Sequence, residues 1–148
     1  MRAYLSRRYR ISASHRLDSP AYDEARNRAV YGKCNNPHGH GHNYIIEVTV
    51  AGQVDAQTGM VCNLAELDRF MQKQVIQRFD HTNLNLDEGF RKLVPTTENL
   101  CIAIYDLVSA GFDKAELVCI RIEETANNSF EYFGVSERVS QADHILHL

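Results

Sequence analysis

The stretch Asn43-Tyr44-Ile45-Ile46-Glu47-Val48-Thr49-Val50-Ala51-Gly52 places Tyr44, Ile46, Val48 and Val50 at every second position. Successive side chains of an extended chain point to opposite faces, so residues 43–52 read as a strand with one apolar face. Upstream, residues 3–14 repeat the pattern, with Tyr9, Ile11 and Ala13 alternating with Arg8, Arg10 and Ser12. Downstream the period changes. Asn63 and Glu66 form a capping box, and Leu64, Leu67, Phe70, Met71, Gln74 and Val75 keep helical spacing to about Arg78. A second helix starts after Pro95, capped by Thr96 or Thr97, with Leu100, Ile104, Leu107 and Val108 as its stripe and Gly111 as its stop. Alternation returns over 116–124, where Val118, Ile120, Ile122 and Glu124 share one face and Leu117, Cys119, Arg121 and Glu123 the other. Asn127-Asn128 suits a hairpin turn, and 129–133 makes a short last strand. The order ββααββ predicts an α+β fold: a four-stranded antiparallel sheet with two helices on one face. The second face is expected to bury apolar and aromatic side chains against other subunits, with open edges pairing between chains.

The 148 residues suit one domain, and a hydrophobic share of 44% is enough for a core without disulfides. The net charge of -3 offers no basic footprint, so no nucleic acid partner is expected. The apolar runs are too short for a bilayer, and the start Met1-Arg2-Ala3-Tyr4-Leu5-Ser6-Arg7-Arg8 lacks the apolar core of a signal peptide. No membrane partner and a cytoplasmic location are expected. Cys34, Cys62, Cys101 and Cys119 form no C-x-x-C pair. Cys62, Cys101 and Cys119 read as small core residues, whereas Cys34 is surrounded by histidines and glycines.

Between the first two strands lie about 28 residues, from His15 to His42, longer than an ordinary loop. This segment contains Cys34-Asn35-Asn36-Pro37-His38-Gly39-His40-Gly41-His42. Histidines two apart on an extended segment face the same side, neutral imidazoles suit zinc, and the intervening glycines would let the backbone approach an ion or ligand. His15 ends the first strand, beside His42 if the two strands pair as a long hairpin. Spacing alone does not choose among His38, His40 and His42. A metal-scavenging loop without catalysis and a closed structural site with Cys34 as fourth ligand are the competing readings.

Six blocks of the chain resemble the 6-pyruvoyltetrahydropterin synthase family. They are Ser12-Ala13-Ser14-His15-Arg16-Leu17, the run from Cys34 to Tyr44, Thr58-Gly59-Met60-Val61 with Asn63-Leu64-Ala65-Glu66-Leu67, Asp80-His81-Thr82-Asn83-Leu84, Pro95-Thr96-Thr97-Glu98-Asn99 and Glu124-Thr125-Ala126-Asn127-Asn128. The resemblance covers the chain to about Gly134 and leaves the tail 135–148 unassigned. It implies a tunnelling fold, in which three subunits close a barrel and two trimers stack, so a homo-oligomer (trimer or dimer of trimers) is expected. It implies Zn2+ held by His15, His40 and His42; His38 stands where relatives often carry asparagine.

The resemblance also implies a pterin substrate, 7,8-dihydroneopterin triphosphate, and a lyase reaction giving 6-pyruvoyltetrahydropterin. Cys34 matches the general base, with a thiol expected to be lowered by a nearby cation. Asp80 and His81 match a proton relay, supplied to a neighbouring subunit. Glu124 suits the pterin anchor because a carboxylate accepts two parallel N–H groups, with Thr96 and Thr97 adding hydrogen bonds or capping the helix. Arg16 and Lys33 are candidate triphosphate contacts. The alternative is 6-carboxytetrahydropterin synthase of queuosine biosynthesis, which releases acetaldehyde; the five residues between Cys34 and His40 resemble the pyruvoyl branch. A non-catalytic metal-binding oligomer is the reading from another class.

Overall fold

The computed structural model describes residues 1–135, so nearly all of the unassigned tail, from 136 onward, lies outside the described residues. Strand β1 (Arg2–His15) pairs antiparallel with β2 (His40–Gln53) over its full length. The long connection between them is not a plain loop: it contains helix α1 (Glu24–Tyr31) and a 3₁₀ turn, Gly32–Asn35. Asp23 caps α1 by accepting from Arg26 N, and Gly32 ends it at φ 56°. α1 has little apolar stripe to mark it in the sequence; its one buried residue is Asn27.

Helix α2 (Leu64–Met71) starts on the expected Asn63 cap and runs through a π-helical turn (Gln72–Ile76) into α3 (Gln77–Phe79). Leu67, Met71, Val75 and Phe79 are all fully buried. Four-residue spacing drifts by about 40° per step around an α-helix, and the wider π turn returns the stripe to the core. The chain then touches β1 through a two-residue strand, β3 (Thr82–Asn83), before helix α4 (Thr97–Gly111), β4 (Glu116–Thr125) and β5 (Asn128–Tyr132).

The sheet order is β3-β1-β2-β4-β5, and β3 runs parallel to β1. The expected four antiparallel strands are therefore present, with a fifth, parallel strand added at the β1 edge. A bulge near Thr49/Val50 also shifts the register of β4, so Leu117 rather than Val118 opposes Val50 and packs against the core.

The core lies between the helices and one sheet face, built from Ile11, Tyr44, Ile46, Val48, Val50, Ile120 and Ile122 against the helical stripes. The opposite face departs from expectation. Ser6 bonds Thr49, Arg8 pairs with Glu47 at 2.7 Å, Ser12 bonds Asn43, and Arg121 lies between Glu123 and Glu131. That face is mainly hydroxylated and charged rather than apolar. Among the described residues no helix is long and apolar enough to cross a membrane.

Candidate metal centre

The β1–β2 register sets the site. Ile11 faces Tyr44, Ala13 faces His42 and His15 faces His40. His15 thus lies opposite His40, not His42, but all three imidazoles share the core face. Their ring centroids stand 4.8–5.1 Å apart, and their planes cross at 74–89°. The glycines serve the strands rather than a ligand. Gly39 has φ 69°, and a Cβ there would lie 2.7 Å from the His15 carbonyl oxygen; at Gly41 it would lie 3.3 Å from that of Ala13. At Gly39 the positive φ and the close carbonyl both call for a residue without a Cβ, whereas at Gly41 the contact is only tight.

The nitrogens point inward. The His15 Nδ1 lies 2.8 Å from the Pro95 carbonyl oxygen. A carbonyl only accepts, so Nδ1 carries the proton and Nε2 presents its lone pair. That Nε2 stands 3.2 Å from His40 Nε2. Two ligands of a tetrahedral ion at about 2.0–2.1 Å would stand about 3.3 Å apart. The His42 Nε2 is buried and has no hydrogen-bond partner among the described residues. Burial lowers the pKa of both His15 and His42, and the neighbouring imidazoles add to it against the opposing pull of Glu124. Neutral imidazoles with converging lone pairs, one of them orphaned, fit a cation, so His15, His40 and His42 could hold a metal ion. His38 is exposed and outside this group.

Beside the imidazoles stands Glu124, at an irregularity where β4 slips against β5. Its Oε1 accepts from Thr97 Oγ1 at 2.6 Å and lies 3.6 Å from His42 Nε2; its Oε2 accepts from Asn128 Nδ2 at 2.7 Å. Burial alone would raise this carboxyl, but the Thr97 and Asn128 donors, with the two imidazoles behind them, hold it below the usual carboxylate range. The two threonines have separate duties: the Thr96 hydroxyl caps α4 by accepting from Asn99 N, whereas Thr97 holds Glu124.

Cys34 sits on the 3₁₀ turn, anchored through its carbonyl, which accepts from Leu17 N at 2.8 Å. Its thiol is not among the groups converging on the imidazole cluster, so a closed four-ligand site is not assembled. The protein's own groups push this thiol up, burial first and then Glu124, against the expected lowering. Any lowering has to come from a cation.

Asp80 and His81 lie elsewhere. Asp80 Oδ1 accepts from Ser12 N at 2.8 Å, and His81 N donates to Ser12 O at 2.6 Å. The His81 ring is 82% exposed and 3.7 Å from Asp80 Oδ1. His81 is the one non-glycine residue with positive φ, 57°, among those described. No hydrogen bond or ion pair among the described residues joins either to the imidazoles. His81 and His42 share only the rim of an open cavity of about 440 Å³ over Ser12, Ser14 and Asn43.

Three contributors to the site have no signal in the sequence: the Pro95 carbonyl, Asn128, and Tyr44, whose hydroxyl lies 3.4 Å from His15 Nδ1. Asn128 read as a turn residue and Tyr44 as core; both belonged to resembling or apolar blocks, but no pattern in the chain assigns such contacts.

Residues 4–135 match the family model described as 6-pyruvoyl tetrahydropterin synthase. The chain is 46% identical over 134 residues to the 6-pyruvoyl tetrahydrobiopterin synthase of Drosophila melanogaster, covering 89% of this chain and 80% of that one. It is 44% identical over 133 residues to the Homo sapiens protein of the same name, covering 89% and 92%. The solved structure of Caenorhabditis elegans 6-pyruvoyl tetrahydropterin synthase superposes with a TM-score of 0.87 at 40% identity, covering 91% and 97%.

Proposed function

Since the chain belongs to the 6-pyruvoyl tetrahydropterin synthase family, we propose that it is a zinc-dependent lyase converting 7,8-dihydroneopterin triphosphate to 6-pyruvoyltetrahydropterin with release of triphosphate. One observation carries the reading: three imidazoles converge on one point directly beside a half-buried, hydrogen-bonded glutamate. Bound zinc supplies Lewis-acid polarisation of the substrate's side-chain oxygens. His15, His40 and His42 hold it, with Pro95 fixing the His15 tautomer. Glu124 takes the pterin N–H groups. Each of its oxygens already accepts one protein donor, and a carboxylate oxygen has room for a second. Cys34 takes the proton from the substrate carbon, and His81, oriented by Asp80, relays a proton.

The exposed His81 ring, joined to its own cluster by no hydrogen bond or ion pair among the described residues, supports a relay delivered to a neighbouring copy in a trimer or dimer of trimers. The alternative, 6-carboxytetrahydropterin synthase chemistry, uses the same substrate; the five residues separating Cys34 from His40 favour the pyruvoyl reaction. The experiment is product identification after incubating zinc-loaded protein with 7,8-dihydroneopterin triphosphate. Pyruvoyl product with triphosphate supports the proposal, acetaldehyde moves the chain to the alternative, and unchanged substrate leaves a non-catalytic metal-binding oligomer.

A further inference from the structure

Tyr44 places a hydroxyl where an apolar ring would serve the core as well. It is 0% exposed and shares its sheet face with Ile46, Val48 and Val50. Its ring stands edge-on to His15 and His42, at 6.3 and 5.5 Å between centroids. Phenylalanine would keep all of these ring contacts. A buried hydroxyl is costly to strip of water unless it finds partners, so the groups this one meets decide its purpose.

Those groups fix the direction of its proton. The oxygen lies 3.4 Å from His15 Nδ1, whose own proton is directed at the Pro95 carbonyl 2.8 Å away. A protonated nitrogen has no lone pair to offer, so the Tyr44 oxygen meets it as an acceptor and sends its proton elsewhere. Among the described residues, the Thr97 side chain is the hydrogen-bonding group that remains. Thr97 is 2% exposed, and its hydroxyl gives its single proton to Glu124 Oε1 at 2.6 Å. Toward Tyr44 it can therefore only accept. The donors line up in one sense, from His15 Nδ1 to Tyr44, from Tyr44 to Thr97 and from Thr97 to the carboxylate. In a water-poor interior each such bond polarises the next and strengthens the last.

We infer that Tyr44 is a positioning residue: its hydroxyl commits the Thr97 proton to Glu124, and so sets the pterin anchor from behind the metal ligand His15. The pterin in this role rests on the proposed function. Without the Tyr44 hydroxyl, Thr97 is free to turn a lone pair toward the carboxylate instead of its proton. Glu124 would then keep only the Asn128 donor to hold it in place.

The test is equilibrium titration of 7,8-dihydroneopterin into zinc-saturated full-length protein, beside Tyr44→Phe, Thr97→Val and the double variant. Tyr44→Phe is expected to weaken binding about 5-fold and Thr97→Val about 10-fold. The double variant should bind no more weakly than Thr97→Val alone, because Tyr44 acts through Thr97. Thr97→Ser, which keeps the hydroxyl, should stay near wild type. Wild-type affinity in Tyr44→Phe, or a double variant whose loss is the product of the two single losses, overturns the role. If melting curves show the variants misfolded, proton exchange in the wild-type protein decides. A slowly exchanging Tyr44 hydroxyl proton that shows an NMR contact to the Thr97 methyl upholds the chain of donors, and one that exchanges freely with water overturns it. Wild-type protein that holds zinc but not dihydroneopterin discards the proposed function, and the exchange measurement then decides on Tyr44 by itself.

Discussion

The two halves of the candidate chemistry are built differently. The imidazole cluster and Glu124 sit at one end of the buried sheet face, each tied to a distant partner: His15 to Pro95, Glu124 to Thr97 and Asn128. The Asp80–His81 corner hangs from the backbone of Ser12 with its imidazole in solvent and its backbone in the left-handed region. The groups that orient the first half, the Pro95 carbonyl, Thr97 and Asn128, all come from this same chain. The second is tied down at its backbone and shares with the first only the rim of an open cavity that His42 and His81 both line. His81 is tied by its own N–H to the Ser12 carbonyl, Asp80 beside it accepts from Ser12 N, and the imidazole is presented to solvent.

The most severe break in this contrast is His42→Ala. Losing one of three ligands should release the metal and lower turnover by about 10³-fold or more, because Lewis-acid stabilisation is worth several kcal/mol. Elemental analysis beside a turnover assay checks it, and an active, metal-loaded variant would remove the cluster from the chemistry. Cys34→Ala should keep the metal and lose about 10²–10⁴-fold in turnover, the range for a general base; full activity in that variant excludes the thiol. His81→Ala should keep metal and melting temperature while losing about 10²-fold in turnover. Refolding it together with His42→Ala should restore activity above that of either alone, because mixed oligomers pair an intact metal centre with an intact relay. No recovery on mixing would place the relay within a single protomer. Glu124→Gln should leave the metal bound and weaken pterin affinity by about 10- to 100-fold, the value of a charge-assisted hydrogen bond.

The smallest effect concerns pH. His15 and His42 have lowered pKa values in the folded chain, burial being the first cause. As pH falls below the ordinary histidine value of about 6.5, the unfolded chain takes up protons that the folded one refuses. The metal-free protein should therefore be less stable at pH 5.5 than at pH 7.5, and melting curves at the two values measure the difference. A variant with His15 and His42 both replaced by Gln should lose this part of the slope; an unchanged slope would show that the cluster does not titrate as a buried neutral set.

Much of the fold was legible because it is written in local period. The two-residue alternation around Tyr44–Val50 and the stripes behind Asn63 and Thr96 depend only on how side chains leave a strand or helix, and these elements stand within a few residues of expectation. The exceptions have physical reasons. β3 makes only two pairings and has no period to detect. α1 is held by Asn27 and its caps rather than by an apolar stripe. Leu117 displaced Val118 because a bulge changes parity without marking the sequence.

The same division runs through the site. The sequence by itself determined that His40 and His42, two apart on a strand, share a side, that Gly41 lies between them, and that Cys34 is close in the chain, since neighbours along a backbone are set by covalent geometry. Tertiary structure decided that His15 meets His40, that His38 stays outside, that the Pro95 carbonyl selects the His15 tautomer and that Asn128 grips Glu124. Those outcomes depend on strand register and on backbone groups brought together from 80 residues away in the case of Pro95. Register is settled by the packing of the whole core, which no short stretch of the chain contains.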